Sequence, residues 1–568
     1  MISLKEKPFY LNDQDIAWVE KTIAGMSNED KIGQLFCLIA YDSNEHYLKG
    51  VVNGIKPGGL MCRPMPLDEV VSSISIIQET AQIPMLIAAN LESGGTGLVL
   101  EGTKLGSPML VGATNHVENA YHMGVVCGRE GAAVGGNWSF APIIDLDYNF
   151  RNPITNTRTF GSDVERVKNM GVAYVKGVQE NGVAASIKHF PGDGRDERDQ
   201  HLVTSINDFS CEEWDATYGA VYSASIEQGA MTVMIGHIMQ PAYSKFFNPE
   251  IKDADILPAS LSKELVNDLL RGRLGFNGLV VTDATTMAGM TIPMPRERAV
   301  PLSISAGCDM FLFARNLEED YGYMKKGVEE GVISQERLDE AVTRILALKA
   351  ALKLHQKQAD GTLIPSKAKA LPVLRQKEHV EWAQTCADEG ITLVKEQAGV
   401  LPLSPEKYKK VLLYGIESEL GMFYSVRAGI TDRVKELLTQ EGLDVELFAP
   451  KPGLEGMVQP FSEIADKYDL IVYLANMATK SNQTVVRIEW AQPMGANVPI
   501  YMESVPTVFI SVENPYHLID VPRVKTFINT YTSSDIALES LIEKLMGRSE
   551  FKGVNPVDPF CGRWDTRL

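Results

Sequence analysis

Short, unbroken apolar runs recur through the first half of the chain, with longer stretches of helical spacing between them. They are Gly59-Leu-Met61, Pro84 to Ala89, Trp138 to Pro142, Ala184 to Ile187, Thr232 to Ile235, Leu279 to Val281 and Met310 to Phe313. A run too short for a helix and apolar at every position reads as a strand buried on both faces, the condition of a parallel sheet, and the helical intervals supply the crossovers. Seven such strands suit a (β/α) barrel. A doubly wound sheet satisfies the same period. In either case the loops after the strands build the site, and polar residues stand there in series: Asn90 with Glu92, Asp145, Lys188 with His189, His237, and Asp283.

The flanking punctuation is consistent with this grammar. Residues 10–25 read as a helix started by Asn12 or Asp13 and stopped by Gly25, and Ser27 with Asp30 marks a second start. From Glu336 to Leu354 the residues Leu338, Ala341, Ile345, Leu348 and Leu352 define one apolar face, which closes a first domain over 1–354. Residues 355–380 lack a sustained period and read as a linker. Over 381–568, strand-like runs at Val411 to Tyr414, Val445 to Phe448, Leu470 to Leu474, Thr507 to Ser511 and Thr526 to Asn529 alternate with helices at Ile430 to Glu441 and Asp535 to Met546. That pattern predicts an open, mostly parallel sheet sandwiched by helices. Gly415-Ile-Glu-Ser does not complete Gly-x-Gly-x-x-Gly, so no nucleotide cofactor is expected.

With 568 residues, 45% of them hydrophobic and 22% charged, the chain has material for more than one globular core. Its net charge of -19 repels nucleic acid and anionic membrane surfaces, and fits a small neutral ligand. No run approaches the roughly 20 apolar residues of a membrane span. The first 25 residues lack the apolar centre of a signal peptide. Seven scattered cysteines without Cys-x-x-Cys spacing suggest reduced thiols, hence a cytoplasmic location.

Chemically capable side chains concentrate between Ser186 and His201. Lys188 and His189 fall where a strand gives way to a loop, Phe190-Pro-Gly192 ends regular structure, and Asp199-Gln-His201 sits at the far end. A carboxylate beside an imidazole fixes the ring's tautomer and favours its charged form, which suits a general acid. Asp283 closes the run Leu279-Val-Val-Thr282 and could be a nucleophile if positive groups keep it ionised, or the cap of a following helix. His237, in Ile235-Gly-His-Ile238, could equally be a satisfied core group.

Taken together, Lys188-His-Phe-Pro-Gly192 with Asp199 and His201, and Val280-Val-Thr-Asp283-Ala-Thr-Thr-Met287, resemble the two signature segments of glycoside hydrolase family 3, and within it the bacterial β-N-acetylglucosaminidases. Met26 to Phe36, Phe140 to Asp145 with Arg158 to Asp163, and Glu513-Asn-Pro-Tyr516 are similar to further family segments, so the resemblance runs along nearly the whole chain. Two positions depart from it. Asp193 stands where the family usually has His, and Asn90 stands for a sugar-binding Asp, keeping hydrogen-bonding capacity without the charge.

The resemblance implies a TIM-like (β/α)8 barrel followed by an α/β sandwich, and chemistry without metal or other cofactor. It implies a retaining, exo-acting β-N-acetylglucosaminidase acting on a GlcNAc-containing oligosaccharide. In that reading Asp283 is the nucleophile, His201 the general acid/base and Asp199 its partner, while Lys188, His189, Arg158, Asn90 and His237 contact the sugar. A phosphorylase on the same scaffold is a rival, because a neutral imidazole repels phosphate less than a carboxylate does. A non-catalytic sugar-binding protein is the alternative of another class. Chitin-derived and cell-wall substrates are not distinguished by residue type.

Overall fold

The computed structural model describes residues 2–417, 429–477 and 481–568. They form two compact units that interleave along the chain. The first gathers Met1–Leu105, Val117–Leu146 and Val164–Val380; the second gathers Gly106–His116, Asp147–Asp163 and Glu381–Leu568. The sequence divides the chain into contiguous blocks at 354 and 381, whereas residues 355–380 lie with the first unit and carry the short helices Leu354–Ala359 and Lys367–Ala370. A segment that leaves one unit and soon returns makes no mark on composition, so interleaving is invisible to that reading.

The first unit is an eight-stranded parallel sheet: β1 (Phe36–Ile39), β2 (Gly59–Met61), β3 (Leu86–Ala89), β4 (Trp138–Ser139), β5 (Ala184–Phe190), β6 (Thr232–Ile235), β7 (Leu279–Thr282) and β8 (Phe311–Leu312). Each strand pairs with the next in chain order, β8 returns to β1 through Phe36 and Cys37, and a bridge from Val281 to Met310 joins β7 to β8, so the sheet closes into a (β/α)8 barrel. The strand β1 was not among the apolar runs. Phe36-Cys-Leu-Ile39 follows the helix Asn28–Gln34 after a single residue, so its apolar character merges with the helical pattern before it.

Local signals act as expected at the ends of elements. Asn12 caps the helix Asp13–Ala24 with a full capping box and Gly25 closes it; Ser27 accepts from Asp30 N to start the next. The helix Gln335–Ala351 turns Leu338, Ala341, Ile345 and Leu348 inward. No helix among the described residues is long and apolar enough to cross a membrane.

The second unit holds a six-stranded sheet of β9 (Thr392–Lys395), β10 (Lys410–Glu417), β11 (Asp444–Leu447), β12 (Leu470–Asn476), β13 (Thr507–Ser511) and β14 (Thr526–Asn529), in the order β9-β14-β13-β12-β10-β11. Only β9 runs antiparallel, against β14. In-register Tyr414, Tyr473, Phe509 and Phe527 stack across four adjacent strands, with centroids 4.4, 5.9 and 5.3 Å apart. This ladder packs one face of the sheet. With the helices Ile430–Gln440 and Asp535–Leu545, the second unit is an α/β sandwich of the expected kind.

Candidate active site

The barrel brings the chemically capable residues to the C-terminal ends of its strands. Asp283 follows β7, its N–H donates to Ile235 O at 2.7 Å, and one carboxylate oxygen accepts from Ala284 N at 2.7 Å. The next helix begins only at Ala288, behind Met287, so Asp283 is not its cap. Its carboxylate is largely withdrawn from solvent, with a side-chain exposure of 13%. Burial works to raise its pKa, but the imidazoles of His189, His237 and His201, together with the Ala284 N–H, outweigh it and hold the group below the ordinary carboxylate value.

His189 is the nearest of those imidazoles, its Nε2 4.0 Å from Asp283 Oδ2. It is aimed by Asp145, fully buried after β4. The Asp145 carboxylate accepts from His189 Nδ1 at 2.7 Å, from His189 N at 3.1 Å and from Asp193 N at 2.8 Å. Because the carboxylate takes the Nδ1 proton, Nε2 is the nitrogen turned to Asp283. Beside it, the Lys188 ammonium donates to Glu92 Oε1 at 2.8 Å.

His201 and Asp199 form the expected pair. His201 Nδ1 lies 2.7 Å from Asp199 Oδ1, which also accepts from His201 N at 2.8 Å. The Asp199 carboxylate is wholly buried and the imidazole only 27% exposed, so Nε2 is left for proton transfer at the edge of the site. The backbone ties this loop to the nucleophile's: Ala288 N donates to His201 O, and Gly289 N to Gln200 O, both at 3.1 Å. Asp283 and His201 thus belong to one constellation.

The other expected sugar contacts are His237, Asn90 and Arg158. His237 is fully buried, with Nδ1 2.8 Å from Ser260 Oγ and Nε2 3.0 Å from Ala284 O. A carbonyl only accepts, so Nε2 carries the proton, and both ring nitrogens are used within the protein. Burial lowers its pKa. It supports the Asp283 loop and has no ring nitrogen left for a sugar, which corrects its expected role. Asn90 is exposed at the end of β3. Arg158 lies in the second unit, on the turn Asn156–Arg158, which Asp147 holds by accepting from Thr155 Oγ1 at 2.5 Å and Asn156 N at 3.2 Å.

A closed barrel whose strand ends present an ionised carboxylate among imidazoles, with a separate carboxylate–imidazole pair alongside, defines an enzyme for polar covalent chemistry on a small molecule. The model of the glycosyl hydrolase family 3 N-terminal domain matches residues 27–348, and the chain belongs to that family. It is 53% identical, over the whole length of both, to a β-N-acetylglucosaminidase/β-glucosidase of Cellulomonas fimi. Among solved structures it is similar to the β-glucoside phosphorylase BglX, with 45% identity, 99% of each chain covered and a TM-score of 0.93. A family 3 β-N-acetylglucosaminidase from Paenibacillus sp. str. FPU-7 superposes with a TM-score of 0.79 at 25% identity, covering 95% of this chain and 100% of that one. The chain is therefore a glycoside hydrolase of the β-N-acetylglucosaminidase/β-glucosidase group.

Proposed function

We propose that the protein cleaves terminal β-linked GlcNAc or glucose from a small glycoside with retention at the anomeric carbon. The observation that carries this is the ionised Asp283 with an imidazole 4.0 Å away and the His201–Asp199 pair on the adjoining loop. In the first half, the Asp283 carboxylate attacks the anomeric carbon as the glycosidic C–O bond breaks, and His201 Nε2 gives its proton to the departing oxygen. In the second half an acceptor displaces Asp283, and where the acceptor is water, His201 takes its proton. Lys188 and His189 hold sugar hydroxyls. Asn90 can add an uncharged contact. The proposed setting is the cytoplasm, with chitin-derived or cell-wall fragments as substrates.

A second reading concerns the acceptor. The acid/base is an imidazole, which carries no negative charge in its base form, so a phosphate dianion can approach the glycosyl-enzyme without the repulsion a carboxylate would exert. The likeness to BglX, named a β-glucoside phosphorylase, favours the same conclusion. Phosphate would leave with the glycosyl group as the sugar 1-phosphate.

Product analysis with a chromogenic β-GlcNAc substrate, with and without phosphate, tests both readings. Free GlcNAc in either buffer supports hydrolysis, and GlcNAc 1-phosphate as the main product establishes phosphorolysis. An inverted anomer would sink the double displacement. Asp283→Asn is expected to abolish turnover, by about 10⁴-fold or more, with the melting temperature unchanged.

A further inference from the structure

Between the two members of the His201–Asp199 pair sits Gln200, 1% exposed and turned the other way, into the protein. Its amide is used at both ends. Oε1 accepts from His237 N at 2.8 Å, and Nε2 donates to Asp193 Oδ2 at 3.2 Å. Asp193 in turn donates its N–H to Asp145, the carboxylate that aims His189. The Gln200 carbonyl accepts from Gly289 N. One side chain and its own peptide thus join the loops after β4, β5, β6 and β7, the four loops that carry the reactive groups.

The neighbouring glycines show how closely this staple is built. A Cβ at Gly289 would come 2.6 Å from Gln200 O, and one at Gly236 would come 3.2 Å from Gln200 Oε1. The first contact is with backbone and cannot be relieved by turning a side chain, so position 289 must be bare for the loop to lie where it does. His201 itself is fixed by Asp199 and by the backbone bond from Ala288 N. An imidazole one-quarter exposed on a loop depends on its chain neighbours for position.

We infer that Gln200 is the positioning residue of the acid/base loop: by bridging Asp193 and the His237 backbone it holds His201 in line with the departing oxygen. The inference rests on the reading of His201 as acid/base. Proton donation matters in proportion to the basicity of the leaving group. A misplaced acid therefore slows departure of a sugar or alkoxide, which needs the proton, and spares a dinitrophenolate, which leaves without it. Loss of general fold integrity slows both alike.

The test compares kcat/KM for a 2,4-dinitrophenyl β-glycoside and for the corresponding disaccharide in the full-length wild type, Gln200→Met, Gln200→Glu and His201→Ala. Gln200→Met keeps the volume and deletes both hydrogen bonds; Gln200→Glu keeps the acceptor for His237 N and sets a second carboxylate against Asp193. Both variants are expected to lose about 10- to 100-fold on the disaccharide and under about threefold on the activated substrate, repeating His201→Ala at reduced amplitude. Retained turnover of the activated substrate shows that the variants fold. Equal losses on both substrates, or no loss on the disaccharide, would overturn the role of Gln200. If His201→Ala shows no dependence on the leaving group, the assignment of the acid/base falls first and the role of Gln200 with it.

Discussion

A buried carboxylate normally resists ionisation, and Asp283 is ionised because of what surrounds it. His189 contributes most among the charges near it, and Asp145 aims that ring. Replacing His189 with Gln removes this support and leaves burial unopposed by its largest counterweight. The sign follows: in the wild type the carboxyl is held below its ordinary value of about 3.9, so the nucleophile stays competent down to acid pH, and in His189→Gln its protonation moves upward. The acid limb for trapping by an activated 2-fluoro glycoside, which reports attack by Asp283 alone, is expected to move to higher pH. An unmoved limb would assign the support to another group. Loss of a sugar contact by the same substitution changes affinity and not the position of the limb, so the two effects separate.

The helices Val117–Ala133 and Val164–Glu180 illustrate how elements are held and how far they can be read. Gly124 and Gly128 on the first, with Gly177 on the second, let the two backbones approach so closely that a Cβ at Gly124 would meet Tyr174 O at 2.4 Å. Gly124→Val gains part of the roughly 1 kcal/mol that glycine costs in a helix, yet the clash is with backbone, and overpacking costs about 1–3 kcal/mol. A lower melting temperature, with kcat retained well below it, is the expected outcome; a rise would mean that the helices part freely. Glycines inside a helical pattern weaken a sequence reading, because the close approach that requires them is a property of two elements at once. The strands behave oppositely. Seven of the eight barrel strands were legible since burial on both faces writes a continuous apolar run, and β1 was lost against the helix before it. The pairing of Asp199 with His201 and the place of Asp283 at a strand end were legible from type and position. His237 was not resolved by its sequence, for only the structure shows both ring nitrogens satisfied, and Gln200 sends its signal through partners 7 and 37 residues away.

At the scale of the whole barrel, chemistry and stability are assigned to opposite ends of the same strands. The C-terminal ends carry Asp145, His189, His237 and Asp283. At the N-terminal ends, Asp309 lies fully buried before β8, and its carboxylate receives Arg271 and Arg337 at 2.6 Å, Arg344 at 3.4 Å and Val280 N at 2.9 Å. Two of those arginines belong to the helix Gln335–Ala351 and the third to the helical stretch Glu264–Arg273, so one carboxylate fastens the last two strands to the helices that cover them. Burial opposes its charge, but the three guanidinium groups prevail and hold its pKa below the ordinary value. Asp309→Asn takes the carboxylate from Arg271 and leaves Arg337 and Arg344 with Glu340, at an expected cost of about 3–5 kcal/mol. A group whose folded pKa is depressed stabilises the fold above its unfolded pKa and loses that contribution as pH falls through the folded value. The wild type should therefore lose stability more steeply than Asp309→Asn on acidification below about pH 4, so that the two melting temperatures converge. Because the site is at the other end of the strands, kcat at a temperature where both are folded should be the same within about twofold. Parallel melting curves across that pH range would show that the carboxylate does not govern closure, and a matching fall in kcat would show that the two ends of the barrel are coupled.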